Sequence, residues 1–368
     1  MRVGVIGGGQ LARMMVPPAV ALGIDIRVLA ESADSSARIA ATAVGDYRDA
    51  ATVLDFATGI DVVTFDHEHV PQDVLARLEA SGVAVRPGRD PLEAAQDKIR
   101  MRERLAALGV PIPDWAAVRS ESDLAEFLAA HRGVAIVKTP RGGYDGKGVR
   151  VVRSAGDAAD WLAEGDVLAE ELVDFRRELA QLIARRPSGE TAAWPLVETI
   201  QREGVCAEVL APAPDAGDAA VEARAIAEAI AEGLGVTGVL AVELFQATDG
   251  RLLVNELAMR PHNSGHWTIE GAVTSQFEQH LRAVLDLPLG DPTPLAPVSV
   301  MVNVLGGPVA ATMPDRYPEA FAAHPDVKFH SYGKASRPGR KVGHVTATGA
   351  DLAEVRARAR AAAGFFEA

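Results

Sequence analysis

The chain has 368 residues, 37 Lys plus Arg against 50 Asp plus Glu, a formal net charge of −13 and a single cysteine. This length predicts roughly two or three domains, the negative charge disfavours nucleic acid as a partner, and one cysteine excludes an intrachain disulfide framework. The sequence has no apolar run of the roughly 18 to 20 residues that cross a bilayer, and residues 2–6 already resemble a strand. We therefore expect a cytoplasmic protein with no membrane partner and no signal peptide.

Over residues 1–90, short β-branched runs alternate with Ala-rich helical stretches. Strands are predicted at residues 2–6, 24–30, 61–65 and 83–88, and helices from Gln10 and from Pro71. This order is typical of a parallel, doubly wound α/β domain. The segment from Asp90 to Glu93 has the residues of a helix N-terminus, and that helix is predicted to run to Leu108, near a domain boundary.

From Ala135 onward, hairpin strands separated by glycine loops replace this alternation. The strands AIVK and VRVV flank the loop RGGYDGKG, and the strand DVLAEELV, a helix over residues 219–233 and the strands TGVLAVELFQ and RLLVNELAM follow. After Pro288, the runs VSVMVNVLG and VKFHSYG, the basic loop SRPGRKVGH and a helix from Asp351 predict a third, smaller unit.

The first glycine motif, Gly7 to Ala12, follows a strand and fits the G-x-G-x-x-A form of a dinucleotide fingerprint. Glu31 closes the second predicted strand, where a ribose-binding acid would lie. Such glycines let an anion approach a helix N-terminus, whose N–H groups and dipole favour negative charge of any kind. The motif leaves three interpretations open: a nicotinamide cofactor, another phosphorylated ligand, or a tight structural turn.

The second glycine motif, residues 141–149, lies between two predicted strands and has the composition of a flap that closes over phosphates. It lacks the G-x-x-x-x-G-K-[ST] spacing of a P-loop and does not open a helix. Lys138, just before it, is placed to contact a phosphate. An ordinary hairpin loop beside a structural lysine is the alternative.

Two glutamates lie in apolar strands on either side of the turn dipeptide Asp249-Gly250. If this dipeptide is a two-residue hairpin loop, Glu243 lies directly opposite Glu256. Carboxylates roughly 5 Å apart repel by about 3 kcal/mol at an effective dielectric of about 20, and a divalent cation would remove this cost. Oxygen ligands from this pair and from Asn255 favour Mg²⁺, with Mn²⁺ as a substitute, and no Cys or His spacing suggests zinc. A shifted register, or a solvated carboxylate at a sheet edge, is the alternative.

Together with Lys98 and Lys138, the motifs GGGQLARM, GGYDGKG, NELAMRPHNSGHWT and RPGRKVGH resemble the ATP-grasp superfamily and, within it, the N5-carboxyaminoimidazole ribonucleotide synthetase family, over nearly the whole chain. The resemblance implies a mixed α/β and α+β architecture. Its units are a Rossmann-like pre-ATP-grasp domain at 1–97, an ATP-grasp domain at 98–290 and a small β-rich C-terminal domain at 291–368.

The resemblance also implies the reaction. ATP, bicarbonate and 5-aminoimidazole ribonucleotide would give N5-carboxyaminoimidazole ribonucleotide, ADP and phosphate in purine synthesis. Carboxyphosphate would be the intermediate, which explains why no protein nucleophile is required. A homodimer that hands its product to a mutase partner is implied as well.

The site residues follow from the same resemblance. Those implied to bind ATP are Lys98, Lys138, Gly143, Tyr144, Asp145, Gly146, Lys147, Gly148, Val149, Glu170, Glu171, Leu172, Val173, Glu178, Asn255 and Glu256. Those implied to bind the ribonucleotide are Gln10, Glu68, Tyr144, Asp145, Arg340 and Lys341. Those implied to be catalytic are Arg260, His262, Asn263, Lys341 and Asp145, and those implied to hold the metal are Glu243 and Glu256.

Some of these positions have plainer interpretations. The acids among them are compatible with solvated charges, and His262 and His266 with structural histidines. The sequence also departs from the family pattern at Asp66 to His69, which leaves the role of Asp66 open, and Glu198 is a weaker nucleotide contact.

Three other functions remain at this stage. They are a relative that joins formate to glycinamide ribonucleotide, an NAD-dependent oxidoreductase built on residues 1–90, and a nucleotide sensor without turnover. The late motifs NSGHWT and RPGRKVGH disfavour the first, and the oxidoreductase leaves the second flap and the glutamate pair unexplained.

Overall fold

The computed structural model describes residues 1–143, 148–202, 204–306 and 312–366, and its first unit is a parallel sheet in the order β3-β2-β1-β4-β5. Its elements are β1 (Arg2–Ile6), α1 (Gln10–Ala21), β2 (Asp25–Ala30), β3 (Ala41–Val44), α2 (Ala50–Phe56), β4 (Val62–Phe65), α3 (Gln72–Ala80) and β5 (Ala84–Val85). Val5 packs with α1, whereas Ile6 belongs to the cluster that holds α2 and α3. Because neighbouring residues of a strand point to opposite faces, helices cover both faces of the sheet. The doubly wound prediction is confirmed.

The helix predicted from Asp90 to Leu108 is two helices, so that prediction is wrong. They are α4 (Arg89–Gln96) and α5 (Lys98–Ala107). Asp97 between them has extended backbone, and its carboxylate accepts hydrogen bonds from the N–H groups of Ile99 and Arg100. An aspartate in this geometry is an N-cap, which starts a new helix. Lys98 therefore begins α5, where its N–H donates to the carbonyl of Pro140 at 2.9 Å.

The second unit begins with a small antiparallel sheet in the order β6-β9-β7-β8. Its elements are β6 (Trp115–Val118), α6 (Glu121–Ala130), β7 (Ala135–Lys138), β8 (Val149–Val152), α7 (Ala159–Leu162) and β9 (Val167–Glu171), with a 3₁₀ turn at Ala155–Ala158. Lys138 pairs with Val149 at the loop end of the β7–β8 hairpin. The predicted hairpin around the second glycine motif is confirmed at its two strands.

A large antiparallel sheet runs through the rest of the chain in the order β15-β14-β10-β12-β13-β16-β18-β17, with β11 paired to β10. The elements up to the last third are β10 (Phe175–Arg185), β11 (Thr191–Ala193), β12 (Val197–Arg202), β13 (Val205–Ala211), α8 (Asp218–Gly233), β14 (Gly238–Ala247), β15 (Leu252–Ala258), α9 (Thr268–Gly271) and α10 (Gln276–Val284). Then follow β16 (Val298–Leu305), α11 (Tyr317–Ala323), β17 (Lys328–Ser331), β18 (Lys341–Gly349) and α12 (Leu352–Gly364), with 3₁₀ turns at Asn263–Gly265 and Met313–Arg316.

The pairing of β13 with β16 joins the predicted second and third units through one hydrogen-bonded sheet. The helix α12 is tied to it by Glu208 of β13, whose fully buried carboxylate contacts Arg356 and Arg360 at 2.8 Å and 2.7 Å. The boundary near residue 290 stays a prediction. In the described part of the chain, no helix is both long and apolar enough to cross a membrane.

Candidate active site

The turn between β14 and β15 is longer than predicted. The N–H of Ala247 donates to the carbonyl of Arg251, so the loop spans the three residues 248–250 instead of two. Gly250 adopts a φ of 95°, a left-handed conformation that glycine adopts without steric cost. The two-residue loop is therefore a wrong prediction, and near the turn the register differs by one residue from the expected one.

A β-bulge then restores the predicted pairing. Leu244 pairs with Val254 but Glu243 pairs with Glu256, which leaves Asn255 as the extra residue of β15. Bulges of this kind redirect a side chain, and here the Asn255 amide oxygen lies 3.1 Å from the ammonium of Lys138. The predicted opposition of the two glutamates is confirmed.

The two glutamates lie where two cavities meet. One cavity, of about 550 Å³, is lined by nearly all described residues predicted to bind ATP, which are Lys98, Lys138, Gly143, Val149, Glu170, Glu171, Leu172, Val173, Glu178, Asn255 and Glu256. The other, of about 430 Å³, is lined by Glu68 and Arg260. Both cavities share Lys98, Gly143, Glu243, Glu256 and His262. The arrangement suits two ligands that meet at the carboxylate pair.

Lys138 is held by a buried ion-pair network. Glu170, which is 3% exposed, contacts Lys138 Nζ at 2.7 Å and Arg102 Nε at 2.5 Å. Arg102 is fully buried and also donates to the carbonyl of Asn255 at 2.8 Å. Burial alone would raise the pKa of the Glu170 carboxyl, but the Arg102 and Lys138 charges outweigh it and hold that pKa below its usual range. Glu170 is therefore a fixed anion that orients Lys138 and not a solvated charge.

Sequence reasoning missed Arg102. The spacing of four residues between Lys98 and Arg102 could have indicated it, because this spacing puts both cations on one face of α5. The side chain of Glu171 instead accepts a hydrogen bond from the N–H of Asp114 at 3.1 Å, while Glu171, Leu172 and Val173 all line the larger cavity. Their contact with adenine stays a prediction.

Glu178 and Gln201 form the far wall of the larger cavity. The Gln201 amide donates to the Glu178 carboxylate at 3.1 Å, and burial, followed by the charge of Glu243, raises the pKa of Glu178. Glu198 pairs instead with Arg177 at 3.1 Å and does not line either of the two cavities formed by the described residues. Gln201, which the sequence did not single out, takes the place expected of Glu198.

Arg260 and His262 lie on the side of the smaller cavity. Arg260 Nε lies 2.9 Å from Glu68 Oε2, and His262 Nε2 lies 3.0 Å from Glu243 Oε1. Burial would lower the pKa of Arg260, but Glu68 raises it overall, so the guanidinium stays charged. Asn263 lines the larger cavity together with Lys341. Of the predicted catalytic residues that the structure describes, His262 therefore lies at the junction and the other three each line one of the two cavities.

Carboxylates occupy N–H groups of the first glycine motif. Gly8 N–H donates to Glu31 at 3.2 Å, and Gly9 N–H donates to Asp66 at 2.8 Å. Asp66 also accepts from the N–H of Ala12 at 2.7 Å and thereby caps α1. These carboxylates occupy N–H groups that a pyrophosphate would need, which disfavours the nicotinamide interpretation. Asp66, left open by the sequence, is a helix-capping residue.

The segment between β17 and the late basic loop reaches this turn. Lys334 Nζ lies 2.5 Å from Gln10 Oε1, and Arg13 donates to the carbonyl of Ser331 at 3.1 Å. Arg340 donates to the carbonyl of Ala335 at 3.3 Å and lies outside both cavities of the described chain. The predicted contacts of Tyr144, Asp145, Gly146 and Lys147 lie outside the described residues, and they stay predictions.

The donor set at the β14–β15 pair fits a hard cation. Glu243, Glu256 and Asn255 supply oxygen atoms, which Mg²⁺ prefers. Burial would raise the pKa of Glu243, but a hydrogen bond from His262 and the charges of Lys341 and Arg260 keep it lowered, so this carboxylate is ionised. Among the residues that the structure describes, no group of three or more His, Cys, Asp or Glu side chains forms a metal cage. A cation here would therefore complete its shell with nucleotide phosphates and water.

Cys206 lines the larger cavity and provides a test of the geometry there. Burial raises the pKa of its thiol from 9.0 to about 12. The thiolate fraction at pH 8 is then lower in the folded protein, so we expect a thiol reagent such as DTNB to label the folded protein more slowly than the protein unfolded in guanidinium. Equal labelling rates in the two states would contradict the raised thiol pKa of Cys206.

Family models match the chain along its length. A model of the ribonucleotide synthetase preATP-grasp domain matches residues 1–96, the ATP-grasp domain model matches residues 103–277, and a model of the phosphoribosylaminoimidazole carboxylase C-terminal domain matches residues 299–358. The larger cavity lies between the small antiparallel sheet and the large antiparallel sheet. Together with this geometry, the matches define a protein of ATP-grasp architecture with a Rossmann-like first unit and a β-rich last unit. The predicted fold class is confirmed.

Similarity to known proteins identifies the family within the ATP-grasp class. A Mycobacterium tuberculosis protein named N5-carboxyaminoimidazole ribonucleotide synthase is 53% identical over 98% of this chain and 86% of its own length. The crystal structure of the Thermus thermophilus synthetase is 39% identical, with a TM-score of 0.90 over 100% of this chain and 98% of that one. The Aspergillus clavatus enzyme, solved with ADP and 5-aminoimidazole ribonucleotide, is 31% identical with a TM-score of 0.88 over 99% and 98% of the chains. The chain belongs to the N5-carboxyaminoimidazole ribonucleotide synthase family.

Proposed function

We propose that this protein is the ligase that uses ATP and bicarbonate to carboxylate 5-aminoimidazole ribonucleotide, giving N5-carboxyaminoimidazole ribonucleotide, ADP and phosphate in purine synthesis. The observation that carries the proposal is the pair of adjoining cavities that share Lys98, the Glu243–Glu256 pair and His262. The larger cavity would hold ATP and the smaller one bicarbonate and the reacting amine. The crystal structure of the Aspergillus clavatus enzyme in complex with ADP and 5-aminoimidazole ribonucleotide supports this pairing of ligands.

The chemistry in this proposal has two steps. A bicarbonate oxygen attacks the γ-phosphorus of ATP, the bond to ADP breaks, and carboxyphosphate forms. The exocyclic amine of the ribonucleotide then attacks the carboxyl carbon, phosphate leaves, and the amine loses a proton. Because phosphate is the leaving group, no serine or cysteine nucleophile is needed. Catalysis then consists of positioning and of neutralising the charge on the transferring phosphoryl group.

The residues have corresponding roles. Lys98 and Lys138 would neutralise phosphate oxygens, and the Arg102–Glu170 pair keeps Lys138 aimed into the cavity. Arg260 and His262 would bind the anionic intermediate between the two cavities. A Mg²⁺ ion held by Glu243 and Glu256, with Mn²⁺ as a substitute, would supply further neutralisation of phosphate charge when bound.

A homodimer and transfer of the labile product to a mutase partner are proposed from the family alone. The cytoplasmic location and the domain bounds 1–97, 98–290 and 291–368 stay predictions. Light scattering of the purified protein tests the dimer.

Substrate dependence tests the proposed reaction. ADP release should rise with 5-aminoimidazole ribonucleotide in the presence of Mg-ATP and bicarbonate, and should not rise with glycinamide ribonucleotide and formate. NAD(H) titration should show no binding, since Glu31 and Asp66 occupy the N–H groups of the glycine turn. ATP binding with no stimulation by the aminoimidazole substrate would contradict the substrate assignment, and a sensor would show binding without any turnover.

A further inference from the structure

Gln276, the first residue of α10, is fully buried and bonds to the backbone of His262 in both directions. Its Oε1 accepts from the His262 N–H at 2.8 Å, and its Nε2 donates to the His262 carbonyl at 2.8 Å. The second amide hydrogen faces His266 Nδ1 at 3.0 Å. The Gln276 side chain therefore directs both of its donor hydrogens and its oxygen at the segment that carries His262.

The segment around Gln276 is closed by further contacts. The N–H of Gln276 donates to the Thr268 hydroxyl at 2.9 Å, which in turn donates to the Gly265 carbonyl at 2.6 Å. A Cβ atom on Gly265 would lie 2.4 Å from Gln276 Oε1, so the turn is packed directly onto the amide. Since Gln276 is fully buried, a loss of its amide would leave the His262 N–H and C=O without this partner.

The two hydrogen bonds between Gln276 and the His262 backbone fix the direction in which the His262 ring points. Nδ1 lies 2.8 Å from the Ser264 hydroxyl, and Nε2 lies 3.0 Å from Glu243 Oε1. His262 lines both cavities, so a small rotation of its backbone would move Nε2 away from the carboxylate at their junction. Misplacement of about 1 Å is enough to lower a rate by about a hundredfold.

We propose that Gln276 is a positioning residue for the carboxylation step, acting through the backbone of His262. The expected loss of turnover rests on the proposed function. The expected displacement of the His262 ring rests only on the contacts described above. Gln276 does not line either cavity of the described chain, so it acts without touching a ligand.

Gln279, one turn further along α10, is a matched control. It is also fully buried, and its amide bonds to the backbone of Gly290 in the same two-way manner, with both distances 2.7 Å. Gly290 lies in the connection before β16 and lines neither cavity. The substitutions Gln276→Met and Gln279→Met each remove a pair of hydrogen bonds between a side-chain amide and the backbone, and Gln276→Met also removes the contact with His266. An unbranched thioether fills the space in each case.

We expect both variants to lose thermal stability, because each loses two hydrogen bonds to the backbone and Gln276→Met also loses the contact with His266. Only Gln276→Met should also lose turnover: kcat for substrate-dependent ADP release should fall by about tenfold to a hundredfold, while the KM for ATP stays within about twofold. Gln279→Met should keep the wild-type kcat. Equal effects of the two substitutions on kcat, or none from either, would overturn the proposal.

A second measurement separates this proposal from the proposed function. In protein labelled with ¹⁵N-histidine, the His262 ring signal can be assigned by its loss in His262→Asn. Gln276→Met should shift or broaden that signal, and Gln279→Met should leave it in place. An unchanged signal in Gln276→Met refutes positioning, even if the wild-type protein shows no turnover with the aminoimidazole substrate. If Gln276→Met does not fold, Gln276→Glu, compared with Gln279→Glu, carries the same two readouts, since glutamate lacks the donor to the His262 carbonyl.

Discussion

Glu256→Gln is expected to lower kcat for ADP release by about a hundredfold to a thousandfold while the protein stays folded. Glu256 lies opposite Glu243 at the junction of the cavities and 3.4 Å from the ammonium of Lys98. The amide keeps the volume of the side chain and removes its charge, which a divalent cation and its nucleotide require. Since 43% of the Glu256 side chain is exposed, the substitution should leave the midpoint of urea unfolding almost unchanged.

The measurement is steady-state ADP release at saturating Mg-ATP, together with a urea unfolding curve. Glu228→Gln is the matched control, because Glu228 is a glutamate of similar exposure, 42%, that pairs with Arg224 on α8. Turnover near the wild-type value in Glu256→Gln would refute the metal-binding role of the pair.

Arg102→Met is expected to destabilise the protein by about 3 to 5 kcal/mol, because it removes one partner of a buried ion pair. Glu170 would keep only Lys138, at 2.7 Å, and the carbonyl of Asn255 would lose its donor. With Lys138 drawn toward the uncompensated carboxylate, the KM for ATP should rise as well.

Urea unfolding of three variants tests this expectation. Arg100→Met, on the same helix, removes an arginine that is 57% exposed and pairs with Glu103, so it should cost far less stability than Arg102→Met. Adding Glu170→Gln to Arg102→Met removes the buried carboxylate and should recover part of the lost stability. A cost for Arg102→Met no larger than that for Arg100→Met would contradict the role assigned to the buried pair.

Local sequence patterns predicted the parts of the fold that depend on local chemistry. The alternation over residues 1–90 indicated the doubly wound sheet, because its strands and helices follow each other in the chain. The break at Asp97 was not predicted, since the residues on both sides have the composition of one continuous helix and only the capping geometry separates them. The turn at residues 248–250 was misjudged for a similar reason: Asp-Gly fits loops of more than one length.

In the candidate site too, residues carried by local patterns were predictable and residues fixed by long-range contacts were not. Lys98, Lys138 and the Glu243–Glu256 pair were predictable from motifs and strand arithmetic. Arg102 was not, because its partner Glu170 lies 68 residues away in the sequence. The glycine turn misled for a related reason, since only the tertiary structure places Asp66, 57 residues beyond Gly9, on the N–H groups that a phosphate would use.

The most direct test is to count ADP and fixed carbon in one reaction. The purified protein is given Mg-ATP and ¹⁴C-bicarbonate, with and without 5-aminoimidazole ribonucleotide. We predict that both ADP and an acid-labile ¹⁴C product appear in equal amounts, and only when the ribonucleotide is present. ADP formed without retained ¹⁴C, or ADP formation indifferent to the ribonucleotide, would contradict ATP-driven carboxylation at the junction of the two cavities.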